Sequence, residues 1–217
     1  MNIEHERLHA NLAITEQLLT PRFDRALTYA AALHRQQRRK LPPVPYISHL
    51  LGVAALVIED GGSEDEAIAA LLHDAVEDQG GEVTQVAIER QFGEQVAFIV
   101  EGCTVVPMTA AESWRSHKQG YLNQVRQASA SVHRVVLADK LHNGRSLLGN
   151  FQQFGDTTWQ HFRGTPTDIL WLYQQWNVLF DDLKPGWMAN ELKHVVTLLH
   201  PWVNASEVLE AGISNGR

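Results

Sequence analysis

Leu71-Leu72-His73-Asp74-Ala75-Val76-Glu77-Asp78 sets a histidine and three acids directly behind an apolar run. Upstream, Ile68 and Ala69 extend that run, and the period predicts one helix that carries Ile68 through Asp74 into the interior. A carboxylate at such a position is costly to desolvate unless it is paired or metal-bound. The stretch therefore demands a compensating group, and a divalent cation would serve.

Working outward, the chain reads as helix after helix. Ser63 with Glu66 three residues on has the spacing of a capping box, and Gly61-Gly62 ends a preceding helix over residues 49–59. Leu41-Pro42-Pro43-Val44-Pro45 cannot be helical, because each proline removes a donor and biases the residue before it toward extended backbone. This is a loop whose basic lip is Arg35, Arg38, Arg39 and Lys40. Phe23, Ala26, Leu27, Ala30, Ala31 and Leu33 trace an apolar stripe at helical period, and Leu8, Leu12, Ile14 and Leu18 predict a helix over residues 4–19 that stops before Pro21. Further helices are expected over residues 84–92, 93–103, 112–128, 132–148, 166–182 and 187–200. Runs that alternate apolar and polar residues are scarce, so the expected class is all-α, a compact single-domain helical fold. The expected division is an N-terminal helical extension at 1–20, the main domain at 21–200 and a tail at 201–217.

Composition narrows the function classes. With 44% hydrophobic and 20% charged residues over 217 positions, the chain has the makings of one folded core and is far from a disordered composition. Cys103 is the only cysteine, which excludes an intrachain disulfide and fits a cytoplasmic setting. The charged N-terminus lacks an apolar signal core, and no apolar run approaches the ~20 residues of a membrane span. A formal charge of -7 disfavours polymeric nucleic acid as a partner, whereas a small anion remains compatible if a cation cluster or metal reverses the local field. No membrane partner is expected, and a homo-oligomer stays open.

A metal site needs donors from other elements. His49, after Pro45-Tyr46-Ile47-Ser48, and Asp139, in Val135-Val136-Leu137-Ala138-Asp139-Lys140, are polar residues set among apolar neighbours. With His73 and Asp74 they make two imidazoles and two carboxylates, a mixed nitrogen and oxygen set suited to manganese, iron or zinc and unlike structural thiolate sites. In this order and at these intervals the set resembles the H…HD…D signature of HD-superfamily metal-dependent phosphohydrolases. The segments around it, including Leu141-His142-Asn143, are similar to those of the stand-alone small alarmone hydrolases and of the hydrolase domain in Rel/Spo enzymes. The likeness covers roughly residues 23–148 and continues more weakly to about 183.

The resemblance implies a manganese-dependent removal of the 3′-pyrophosphate from alarmone nucleotides, (p)ppGpp or (pp)pApp. It implies that His49, His73, Asp74 and Asp139 hold one Mn2+, other divalent metals being open. Glu77 and Asp78 match the paired acids that orient or deprotonate water and protonate the leaving group; on a continuous helix Glu77 would share the face of His73. Arg39 and Lys40 match a basic pair lying against nucleotide and phosphates, Asn143 a contact to the sugar, and Lys118 a phosphate contact. Arg145 is a further candidate, and Tyr173 in Tyr173-Gln174-Gln175-Trp176 matches a pocket-lining tyrosine. Two departures bear on the base: the loop before His49 is one residue shorter than in typical relatives, and Ile169 stands where an arginine is often found. They put guanine in doubt and make the adenosine form the alternative.

Blander readings stand beside these. Glu77 and Asp78 before Gly80-Gly81 also suit a solvated turn, and Arg35 and Arg38 suit a wet helix end. His34, His117, His133, His142, His161, His194 and His200 read as structural, with His142 open to a substrate contact through its neighbour Asn143. The aromatic group Trp159, Phe162, Trp171, Tyr173, Trp176 and Phe180 reads mostly as core, and Cys103 as a small hydrophobe. Competing functions are another HD reaction, a nucleotidase or an NADPH-type phosphatase, and a nucleotide sensor without turnover.

Overall fold

The computed structural model describes residues 19–214, with side chains through residue 203. Its elements are α1 (Pro21–Leu33), α2 (Ile47–Glu59), α3 (Glu64–Leu72), α4 (Ala75–Asp78), α5 (Glu82–Phe92), α6 (Glu94–Cys103), α7 (Trp114–Arg126), α8 (Ala130–Phe154), a 3-10 segment (Gly155–His161), α9 (Pro166–Leu183) and α10 (Trp187–Ser214). Among the described residues there is no strand, only an isolated antiparallel bridge from Arg38 to Pro45. The fold is all-α, and among the described residues no helix is long and apolar enough to cross a membrane. The helix expected over residues 4–19 lies almost wholly outside the described residues.

The innermost element is α3. Ala67 through Leu72 have no exposed surface, and α1, α2, α6 and α8 enclose the helix. A helix apolar on every side has to be enclosed in this way. Its start is set by the capping box: Ser63 Oγ accepts from the Glu66 N–H, and Glu66 Oε2 accepts from the Ser63 N–H. Just before it, α2 ends where Gly61 takes φ 73°, a left-handed turn that suits glycine and lets the Gly62 N–H reach the Val57 carbonyl.

Three expectations from periodicity need correction. First, α3 does not run through His73 and Asp74; it stops at Leu72, and α4 is a separate single turn. His73 Nδ1 takes the Ala70 carbonyl, the acceptor that the Asp74 N–H would use in a continuing helix. Glu77 therefore does not share a continuous helix face with His73. Second, α8 runs 25 residues to Phe154, well past the expected end at 148, with its central part buried against α2, α3, α6, α9 and α10. Third, α10 does not stop at 200 but carries Pro201 inside it. Proline removes one donor and crowds the preceding turn, yet packing of α10 on α8 and α9 keeps the helix going.

Candidate active site

His49 comes from the first turn of α2, His73 and Asp74 from the break between α3 and α4, and Asp139 from the middle of α8. The packing of α2 and α8 around α3 brings these helices together, and with them the four side chains. His49 Nε2 lies 3.2 Å from Asp139 Oδ1 and 3.5 Å from Asp74 Oδ2. His73 Nε2 lies 3.1 Å from Asp74 Oδ2 and 3.7 Å from Asp139 Oδ1. His49, His73 and Asp74 offer ligand atoms all within 4.8 Å of one another.

These donors fit a divalent cation. The mutually close atoms of His49, His73 and Asp74 suit one ion at bonds of about 2.1 Å, Asp139 Oδ1 lies beside the two imidazoles outside that group, and the mixed nitrogen and oxygen set suits a borderline or hard metal. His73 Nε2 is buried and makes no hydrogen bond of acceptable geometry, an orphan that a cation would satisfy. Its other nitrogen is fixed on the Ala70 carbonyl at 2.7 Å, which leaves the Nε2 lone pair for a ligand. Around the set, Tyr46 Oη donates to Asp74 Oδ2 at 2.6 Å, Lys140 Nζ donates to Asp139 Oδ2 at 2.6 Å, and Asn143 Nδ2 donates to Asp139 Oδ1 at 2.5 Å.

Electrostatics follow from this crowding. Burial alone would push the Asp74 and Asp139 carboxyls up, but His73 beside Asp74, and Lys140 with the two imidazoles beside Asp139, hold both below the ordinary range. Burial disfavours the charged forms of His73 and Lys140, and the same carboxylates outweigh it and raise both. Burial and the Asp74 charge push the Tyr46 hydroxyl far up, so it stays a donor.

A cavity of about 210 Å³ opens beside the set. Glu77 lines it, raised above its ordinary 4.5 by burial and by the Asp74 charge, with the Val105 N–H 3.4 Å from Oε2. Lys118, Lys140, Arg39 and Asn143 line it too, and Arg39 Nη2 donates to Asn143 Oδ1 at 2.9 Å. Lys118 is lowered first by burial and then by the Lys140 charge, with Glu77 opposing. A second cavity of about 280 Å³ adjoins, sharing Arg39 and lined by Leu41, Pro42, Val44 and His142.

Some expected residues are not brought into these cavities. Asp78 accepts from Gln37 Nε2 at 2.7 Å and lines neither. Lys40 is exposed, Arg145 points outward to Glu191 Oε2 at 3.1 Å, and Tyr173 is buried against Gly144. Ile169 is buried in the core. Conversely, sequence reasoning gave no role to Tyr46, Gln37 or Lys140, and it read His142 as structural or as a substrate contact, without foreseeing that His142 Nδ1 lies 2.9 Å from His49 Nδ1. Lys140 follows Asp139 directly, a spacing that faces apart on a helix, but its long stem turns back over the Tyr121 and Trp176 rings at 5.2 and 5.3 Å. Of the other histidines, His133 is buried with Nε2 on the Val125 carbonyl, a structural role as expected.

Known proteins share this arrangement of sequence and fold. A family model described as "HD domain" matches residues 26–160. A Xenopus tropicalis protein named guanosine-3′,5′-bis(diphosphate) 3′-pyrophosphohydrolase MESH1 is 43% identical over 125 residues, 56% of this chain and 67% of that protein. A Synechocystis protein named as a probable 3′-pyrophosphohydrolase of the same nucleotide is 41% identical over 126 residues, 57% of this chain but only 16% of that much longer protein. A solved structure described as a metazoan ortholog of SpoT that hydrolyses ppGpp superposes with a TM-score of 0.64 at 26% identity, covering 81% of this chain and 94% of that one. The family match takes in well over half of the chain and all four clustered side chains, and the chain belongs to the HD-domain family, in the branch that includes the MESH1 proteins.

Proposed function

We propose that the chain is a manganese-dependent pyrophosphohydrolase that removes the 3′-pyrophosphate of alarmone nucleotides, (p)ppGpp or (pp)pApp. The observation that carries this reading is the convergence of His49, His73, Asp74 and Asp139 beside a cavity that Glu77, Arg39, Lys118 and Lys140 also line. The names of the MESH1 relatives and of the SpoT ortholog support the substrate class.

Hydrolysis adds the elements of water across the bond joining the ribose 3′ oxygen to pyrophosphate. A divalent cation on the four donors, when bound, supplies Lewis acidity that lowers the pKa of water and offsets phosphoryl charge. The chain supplies the rest. Glu77 takes the proton of the attacking water on Oε1, the oxygen not bonded to the Val105 N–H, and its raised pKa suits a group that then returns that proton to the departing ribose 3′ oxygen. Asp78, anchored through Oδ2 by Gln37, is the second acid of the pair. Lys118 and Arg39 receive the phosphates, Lys140 keeps Asp139 ionised, and Asn143, held between Arg39 and Asp139, meets the sugar. Lys40, Arg145 and Tyr173 would have to act at the rim or through neighbours. The short Leu41 to Pro45 loop borders the second cavity, where the base would lie, and Ile169 in place of an arginine favours testing adenine beside guanine.

The test is incubation with Mn2+ and a panel of ppGpp, pppGpp, ppApp, pppApp and NADPH, with separate assays for pyrophosphate and orthophosphate. Pyrophosphate release from a guanine or adenine alarmone is expected. Orthophosphate release alone would replace the proposal with a phosphatase, and binding without product would replace it with a sensor.

A further inference from the structure

We propose that His142 is a positioning residue for the cation site: through its Nδ1 lone pair it fixes which nitrogen of His49 carries the proton and how the ring is aimed. The inference rests on the reading of His49 as a ligand and adds a residue for which neither the signature nor its flanking segments supply a role.

The argument begins with a difference between the two imidazoles. Each must present Nε2 unprotonated to a cation, so each must carry its proton on Nδ1 and needs an acceptor there. His73 has a backbone acceptor, the Ala70 carbonyl at 2.7 Å, which can only accept. His49 has no such carbonyl at Nδ1; its partner is His142 Nδ1 at 2.9 Å. An imidazole nitrogen either accepts or donates according to tautomer. For His49 to keep Nε2 open toward Asp139 Oδ1 and Asp74 Oδ2, His142 must accept at Nδ1 and hold its own proton on Nε2.

The fold is shaped to keep that ring in place. His142 projects from α8 across α2, and its Cδ2–Nε2 edge lies against Gly52, where an added Cβ would come within 2.3 Å of both atoms. The two rings sit 4.8 Å apart at 57°, a geometry in which the nitrogens meet edge to edge rather than by stacking. His49 is thus caught between His142 on one side and His73 on the other, at 5.2 Å between centroids. His142 also lines the second cavity, so the outer partner of one cation ligand forms part of the wall proposed to receive the base.

Removing an outer-shell partner of a metal-bound histidine lowers metal affinity by roughly 10–100-fold. The experiment titrates Mn2+ alone, without nucleotide, into the full chain and follows the free-ion electron paramagnetic resonance signal for wild type, His142→Leu, His142→Asn and His49→Ala. Each variant is accompanied by a thermal unfolding curve. Leucine fills the space without an acceptor, and asparagine places a carbonyl oxygen near the position of Nδ1. His142→Leu is expected to weaken Mn2+ binding by roughly 10–100-fold, and His142→Asn to recover most of it. Leucine binding Mn2+ like wild type would overturn the proposal, as would asparagine being as poor as leucine, since packing rather than acceptance would then be the role. His49→Ala separates the two readings: if it too bound like wild type, the cation site itself would be misplaced, whereas its loss with leucine unaffected would remove His142 alone.

Discussion

Glu77 and Lys118 line the same cavity with shifts of opposite direction, the carboxyl raised and the ammonium lowered. Such opposed shifts come from burial acting on both and from neighbours of like sign, Asp74 for the acid and Lys140 for the base. If Glu77 accepts the proton of water, turnover requires its ionised form. The acid limb of kcat/KM should then lie above the ordinary 4.5, the rate falling as pH drops through the raised value. Glu77→Gln should lose that limb and about 10²–10⁴ in kcat while Mn2+ affinity stays near wild type. A full pH profile of both proteins with a parallel metal titration checks it, and a Gln variant of normal rate would remove Glu77 from the chemistry. The four clustered side chains were legible in the sequence because they are polar residues set beside apolar runs in the H…HD…D order. Tyr46, Gln37 and Lys140 were not, because a long side chain on a loop or at an adjacent helical position reaches its partner by a path that spacing does not encode.

At the scale of elements, periodicity found α1, α2, α3 and the later long helices, since each buries a stripe or all of its surface, but it misplaced the ends of α3, α8 and α10. What it could not place was the break at His73. That break depends on a side chain capturing the Ala70 carbonyl, a local competition that leaves no mark in apolar period. Nor could it show that Pro201 lies inside α10, where packing overrides a local preference. The close crossing of α2 and α8 is equally silent in sequence, as Gly52 reads as a weak point in an apolar helix until the His142 ring is seen against it. Gly52→Ala should cost about 1–3 kcal/mol through the overpacked contact. Urea unfolding checks it, and a variant as stable as wild type would mean that α2 and α8 separate freely. The start of α3 gives a milder case: Ser63→Ala removes the acceptor for the Glu66 N–H and should cost about 1 kcal/mol. Calorimetry should see Tm fall by about 2–4 °C.

The whole molecule is tied together on the flank of α3 away from the cavity by one ion cluster that joins four elements. Arg134 on α8 reaches Asp60, the C-cap of α2, at 2.9 Å and Glu66 on α3 at 2.6 Å, while Lys184 at the end of α9 reaches the same Asp60 oxygen at 2.9 Å. The acids are nearly buried, at 7% and 6% side-chain exposure, so removing a cation would leave charge without compensation. No periodicity announces such a cluster, because Arg134 lies 74 and 68 residues from its two acids and Lys184 is farther still, and apolar period says nothing of which charges meet. Burial raises the Asp60 carboxyl, but the hydrogen bonds and charges of Lys184 and Arg134 outweigh it and hold it below 3.8. A carboxyl depressed in the folded state is protonated first in the unfolded chain, so its contribution is present above the unfolded value and lost as pH falls through the folded one. Unfolding free energy in urea should therefore decline as pH drops below 3.8. Arg134→Met should lower stability by about 3 kcal/mol at pH 7. The same variant should flatten the acid decline, since the depression of Asp60 then rests on Lys184 alone. An unchanged slope in the variant would show that Asp60 draws nothing from Arg134 and that α2, α3 and α8 are held there by packing only.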